Sequence, residues 1–299
     1  MKLSLFPFLL LVYCLTFCRA GATSVWAQEA VDAAAAAGSV DGSLYDAPAA
    51  DQKMEGFNLV GYNETGSKSW DINGDKADIT GDQVAVTNVN ANAYGEESMN
   101  LKAMKGRIDK VTGDVSLERN VVITSDQGRQ MKTDSLEWQR ERDLVSTLDK
   151  VHLTDDNMVV EGTGLQAHPT LKDARLNSDV KADIAMEGDT DNRIQVTSDG
   201  PMEVDQMSMR AIFRDNVVAV ELASGRRMKA DMMEIYFDKE SRKIREIICV
   251  GNVELHQGIN VTYSERLVYK ADQQRVVLSG KPKLLIDTGN VDTQKAFQY

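Results

Sequence analysis

Disulfides are excluded first. Of three cysteines in 299 residues, Cys14 and Cys18 sit in an apolar leader, so Cys249 stands alone in the rest of the chain and has no intramolecular partner. Stability has to come from burial, which a chain of this length can supply. Prolines are also few, at five, and only Pro282 falls deep inside strand-like sequence, which leaves sheet ladders free to form. Aromatics are sparse at 6%, and helix-period runs are short. Basic charge is lacking as well: 34 Lys and Arg stand against 46 Asp and Glu, for a net charge of −12. Nucleic-acid binders need basic stripes that release counterions, and the cluster Gly225-Arg226-Arg227-Met228-Lys229 is too short to be one, so it reads as a solvated hairpin loop. No nucleic acid is expected as a partner.

The one long apolar run is at the start. Lys2 precedes Leu3 to Phe17, and Val25-Trp26-Ala27 offers small residues for cleavage, with Ala20-Gly21-Ala22 as a second cut. The run is shorter than the roughly 20 residues that span a bilayer, so residues 1–27 read as a cleaved export signal, with inner-membrane association following only if it is retained. Leu15-Thr16-Phe17-Cys18 is a poor lipidation site because Phe17 is bulky before the cysteine. Residues 28–55 are rich in Ala, Gly, Asp and Ser, the composition of a flexible linker.

What is present from Phe57 onward is alternation. Short strand-like runs are separated by turn signals at Asn73-Gly74-Asp75, Thr112-Gly113-Asp114 and Asp126-Gln127-Gly128. One phrase recurs three times. Asn120-Val121-Val122-Ile123 leads to Asp134 through Trp138, Asn216-Val217-Val218-Ala219 to Asp231 through Ile235, and Asn252-Val253-Glu254-Leu255 to Glu265 through Tyr269. Hairpin loops follow at 140–143, 238–243 and 270–275, with returning strands at 144–147, 244–247 and 276–279. A repeat built only from strands implies stacked β-hairpins with a continuous apolar face. The polar stretch 187–193 marks a module boundary, giving modules at 56–186 and 194–288 and a tail at 289–299.

Chemistry-bearing constellations are weak. His152, His168 and His256 lack ligand spacing. Asp71-Ile72-Asn73-Gly74-Asp75 and Asp189-Thr190-Asp191-Asn192 resemble calcium loops only superficially and read as plain turns. Ser198-Asp199-Gly200-Pro201 is a turn, not a nucleophile elbow, and no Walker-type loop is present. No enzyme, metal or cofactor is expected. The better candidate is the apolar stripe: Val121, Ile123, Leu136, Trp138, Val217, Ala219, Met233, Ile235, Val253, Leu255, Leu267 and Tyr269 share one face by their period of two. Pattern alone does not separate the closed core of a structural or adhesive repeat protein from an open groove for lipid.

Phe57-Asn58-Leu59-Val60-Gly61-Tyr62, Trp70 through Asp78, Gly113 through Leu117, Asn120 through Ile123, and Met131 through Trp138 resemble the LptC family of lipopolysaccharide export proteins. From about Ile194, the phrases Ser198 through Met202, Met228 through Asp231 and Gly251 through Leu255 are similar to the LptA, or OstA-like, repeat. The resemblance implies an all-β fold, an open twisted jelly-roll made from a folded-over antiparallel sheet. It further implies a periplasmic location, a groove for lipopolysaccharide lined by the twelve stripe residues, and edge-to-edge stacking on other jelly-roll export components. The chain would then be a non-enzymatic part of an export bridge toward the outer membrane. Energy would come from an inner-membrane ABC transporter as partner.

Overall fold

The computed structural model describes residues 51–63, 66–95, 98–155, 158–168, 173–185, 193–239, 244–270, 273 and 275–285. The export signal, most of the 28–55 linker, residues 187–192 of the polar stretch and the 289–299 tail lie outside the described residues.

The described chain is all strand. β1 (Gln52–Tyr62), β2 (Lys68–Thr80), β3 (Gln83–Ala93), β4 (Met99–Asp109), β5 (Val115–Ser125), β6 (Gln130–Gln139), β7 (Leu144–Asp155), β8 (Met158–His168) and β9 (Asp173–Ala185) come first. β10 (Arg193–Ser198), β11 (Met202–Asp205), β12 (Arg210–Glu221), β13 (Arg227–Phe237), β14 (Ile244–Gln257), β15 (Asn260–Lys270), β16 (Arg275–Ser279) and β17 (Lys283–Leu285) follow. They form one antiparallel sheet of 17 strands. From β1 to β9 each strand pairs with the next in sequence. β10 and β11 then act as two halves of one strand between β9 and β12, and β16 and β17 do the same against β15. The sheet therefore runs on from β9 into β10 across the polar stretch. β1 begins at Gln52, ahead of the first sequence alternation at Phe57, because β2 templates it down to Gln52 opposite Ile79.

The sheet folds over along one line. Asn120, Asn216 and Asn252 have φ of 53°, 50° and 46°, and each follows another left-handed residue, Arg119, Asp215 or Gly251. Two consecutive left-handed residues interrupt the ladder and bend the strand, as a β-bulge does. The register shows where: pairing jumps from Glu118 to Val121, from Arg214 to Val217 and from Val250 to Val253. Opposite each jump lies the acid that closes the repeated phrase, Asp134, Asp231 or Glu265. Asn252 donates from Nδ2 to Asp231 Oδ2 at 2.9 Å, Asn216 to Asp199 at 2.8 Å, and Asn88, also left-handed, to Asp75 at 2.5 Å. Asn is among the few side chains that tolerate this region of φ, and in these three its amide bonds a carboxylate across the sheet.

This line corrects two readings of the sequence. Asn73-Gly74-Asp75 is not a turn but the middle of β2. Gly74 is required there because a Cβ would lie 2.6 Å from the Phe57 ring and 2.9 Å from Val86. The returning strands 144–147 and 244–247 are likewise longer than the sequence suggests: they run on without a turn to Asp155 in β7 and to Gln257 in the bent 14-residue β14. The loop at 140–143 is a turn, as expected, and so are those at 112–114 and 126–128.

Halves of strands on either side of the line form two leaves. Their inward faces bury one another in a single apolar cluster that reaches from Ala77 and Val86 to Val253 and Leu267. Each fully buried Val, Leu or Ile contributes about 1.5–3 kcal/mol to holding the leaves together.

Gly251 tests this geometry. Its φ is +79° and a Cβ would lie 2.4 Å from Asp231 Oδ2, whereas Gly258, at φ +60° in the β14–β15 turn, has open space around it. Gly251→Ala is expected to lower stability in urea by more than the roughly 1 kcal/mol of a left-handed alanine, and Gly258→Ala by about that amount. Equal losses would show that the fold line is not built around Gly251. A second test lies on the outer face, where buried Asp71 accepts hydrogen bonds from Asn92, Tyr94 and Lys68. Burial alone would raise its carboxyl, but these bonds together hold it below the ordinary value. A depressed carboxylate stabilises the fold above its unfolded pKa, and that contribution is lost as pH falls through the lower folded value. Stability of the native chain should therefore fall more steeply below about pH 4 than that of Asp71→Asn.

Candidate functional site

The structure brings all twelve stripe residues onto the inward face, and the fold line divides them evenly. Val121 and Ile123, Val217 and Ala219, and Val253 and Leu255 follow a bulge Asn and line one leaf. Leu136 and Trp138, Met233 and Ile235, and Leu267 and Tyr269 follow a crease acid and line the other. Cross-strand partners confirm the facing: Phe213 lies opposite Met233, Leu117 opposite Leu136, and Cys249 opposite Leu267, all of them buried.

Ten of the twelve are buried, while Trp138 and Tyr269 are half-buried and pack against the cluster from its margin. Tyr269 shows how the leaves meet. Burial and then the Glu221 carboxylate push its phenol up, with Arg226 opposing. Glu221 and Arg226 belong to the β12–β13 turn of the other leaf, so the margins approach each other there. Cys249 sits at the centre, and burial pushes its thiol up to about 12, which makes it an inert apolar side chain and not a nucleophile.

The inward face is not purely apolar. Thr133 Oγ1, Trp138 Nε1 and both amide atoms of Gln206 are buried without a hydrogen-bond partner. Thr133 lies opposite Val121, and Gln206 continues the inward alternation of Met202 and Val204 into the β11–β12 turn. The sequence offered only alternation as a signal for these positions, and the stripe counted from the Asn and the acid passes them by.

One surface feature adjoins the stripe. Between Lys132 opposite His152 and Glu137 opposite Ser146 the β6–β7 ladder stops, the widest break in the sheet. Ser135 bridges it, donating to Asp149 Oδ2 at 2.6 Å and lying 3.3 Å from Thr147 Oγ1. A cleft of about 570 Å³ runs beside this break, lined by Val121, Val122, Lys132, Thr133, Val151 and His152 among others. The histidines stay apart: His152 pairs with Glu161, His168 with Asp173 and His256 with Glu254. Among the described residues no group of three or more His, Cys, Asp or Glu is placed to hold a metal ion. No described helix is long and apolar enough to cross a membrane.

Two family models match the chain. Residues 195–296 match the family model described as LptA/(LptD N-terminal domain) LPS transport protein. A comparison with curated proteins gives no match. Among solved structures, the chain is similar to LptH, the LptA-homologous periplasmic component of the conserved lipopolysaccharide transport device from Pseudomonas aeruginosa. Identity is 10%, covering 63% of this chain and 94% of that one, with a TM-score of 0.20, too low to bear on the argument. Residues 21–185, more than half of the chain, match the model described as Lipopolysaccharide-assembly, LptC-related. With an LptC-like region followed by an LptA-like one, the chain belongs to the LptC-related lipopolysaccharide-assembly family, whose role is in lipopolysaccharide transport.

Proposed function

We propose that this chain is a periplasmic, non-enzymatic carrier of lipopolysaccharide, whose acyl chains enter between the two leaves. The single observation that supports this reading most is the continuous inward apolar face shared by every strand pair from β2 to β15, which among the described residues only the facing leaf covers. The twelve stripe residues form its walls. An acyl chain placed between the leaves exchanges contacts between side chains for contacts with lipid, so apolar surface stays out of water and the exchange costs little.

The reading includes two modules, residues 56–186 and 194–288, a division supported by where the two family matches meet. It also includes docking of related jelly-roll components on the exposed sheet edges. β1 pairs only with β2 among the described residues, and β16 and β17 only with β15, so both edges carry unsatisfied backbone donors and acceptors. They differ in chemistry. β1 presents exposed Lys53 and Glu55, whereas the β15–β17 edge presents exposed Tyr263, Leu284 and Leu285. Unlike edges favour head-to-tail stacking in one direction. Energy would come from a partner ATPase at the inner membrane, and an uncleaved residue 1–27 segment would tether the carrier there.

A second reading, a structural or adhesive repeat protein with a permanently closed core, is favoured by the near-complete shielding of Val217, Ala219, Met233, Ile235 and Leu267. Photoreactive side chains separate the two. At Leu136, Ile235 or Leu267 they should crosslink to lipopolysaccharide, while at Glu137, Glu234 or Arg266, which point to the outer face, they should not. Crosslinking from both faces alike, or from neither, would establish the closed core instead.

A further inference from the structure

The inward face carries polar atoms that the fold leaves without partners, and a closed hydrocarbon core has no use for them. Gln206 is 3% exposed and Thr133 6% exposed, yet the Gln206 amide oxygen and nitrogen and the Thr133 hydroxyl make no hydrogen bond. Trp138 Nε1, at the half-buried margin, is in the same condition. Native proteins leave only a few such groups in every hundred residues, and each one weakens the fold that keeps it. Here they share the face that also bears Val121, Val204 and Leu136.

Their chemistry is complementary to a particular ligand. Gln206 offers one acceptor and two donors side by side, the complement of a secondary amide, and Thr133 offers a donor and an acceptor suited to a hydroxyl or ester oxygen. A plain hydrocarbon chain satisfies none of them. We propose that Gln206 and Thr133 form polar subsites inside the groove that hydrogen-bond amide, ester or hydroxyl groups along the acyl chains of the bound amphiphile. Selection between lipids would then rest on these groups and not on chain length alone. A buried group that only the correct ligand satisfies discriminates strongly against a ligand that lacks the matching atom. This rests on the carrier reading above, since it places the ligand between the leaves.

The test uses the purified full chain and two probes of equal chain length, a synthetic glucosamine lipid bearing amide-linked 3-hydroxyacyl chains and a saturated fatty acid. Gln206→Met and Thr133→Val remove the polar atoms at nearly constant volume. Without lipid, each variant should melt higher by about 2–4 °C, the shift that relieving one unpaired buried group produces in a protein of this size. Affinity for the hydroxyacyl glucosamine lipid should fall about fivefold to tenfold while affinity for the fatty acid stays unchanged. Lower melting would mean that the atoms are satisfied by buried water and serve the fold, which overturns the proposal. Equal weakening toward both probes, or no weakening toward either, overturns it as well while leaving the carrier reading intact. A native chain that binds neither probe removes the carrier reading itself, and the subsites with it.

Discussion

Everything in this molecule depends on the strands bending at one line. A flat sheet of 17 strands with one apolar face has nothing to cover that face, since the described chain has no helix to lay on it. The solution is to give successive strands a place where the backbone turns left-handed, and to hold those places in register. Asn88 faces Asp75 across β2 and β3, Arg119 and Asn120 face Asp134, Asp215 and Asn216 face Asp231, and Gly251 and Asn252 lie between Asp231 and Glu265. Gly280 and Lys281, also left-handed, continue the line where Pro282 separates β16 from β17. A mismatch of one residue at a single strand would turn its entire inward set outward on one leaf, because side chains alternate with a period of two. The register of the bends is therefore as strongly constrained as the core itself.

The repeated phrase in the sequence was this constraint seen edge-on. Alternation identified which residues face inward, and counting from the Asn and from the acid placed all twelve stripe positions correctly on one face. Alternation did not say that the Asn and the acid mark a bend, because Asn, Gly and Asp have the same signature in a turn as in a bulge. Asn73-Gly74-Asp75 was misread for that reason: its Gly is needed for the packing of Phe57 and Val86, not for reversal of the chain. The inward polar residues were illegible for a different reason. Thr133 falls three residues beyond the start of β6 in a run of ordinary alternation, and Gln206 lies in a turn, where a polar side chain is expected to face solvent. Only the three-dimensional placement shows that both are buried.

The bend also sets what the interior can become. The two leaves are joined covalently at the line by every strand that crosses it, but at the opposite margin no described ladder joins them, and the Glu221 carboxylate of the facing leaf reaches Tyr269 only through its charge, which helps to push the phenol up. Parting the leaves at the margin breaks no backbone ladder, because the hydrogen bonds run between neighbouring strands within each leaf. What opposes parting is the apolar face alone, and a lipid that covers the exposed surface restores most of that stabilisation. On the carrier reading, the same stripe would be a dry core when empty and a groove wall when filled, with the ladder unchanged between the two. A conventional sandwich whose sheets are joined only by loops lacks this hinge. The fold line is what would let one apolar surface serve both states, and it places the widest break in the ladder, between β6 and β7, on the hinge itself, where bending concentrates.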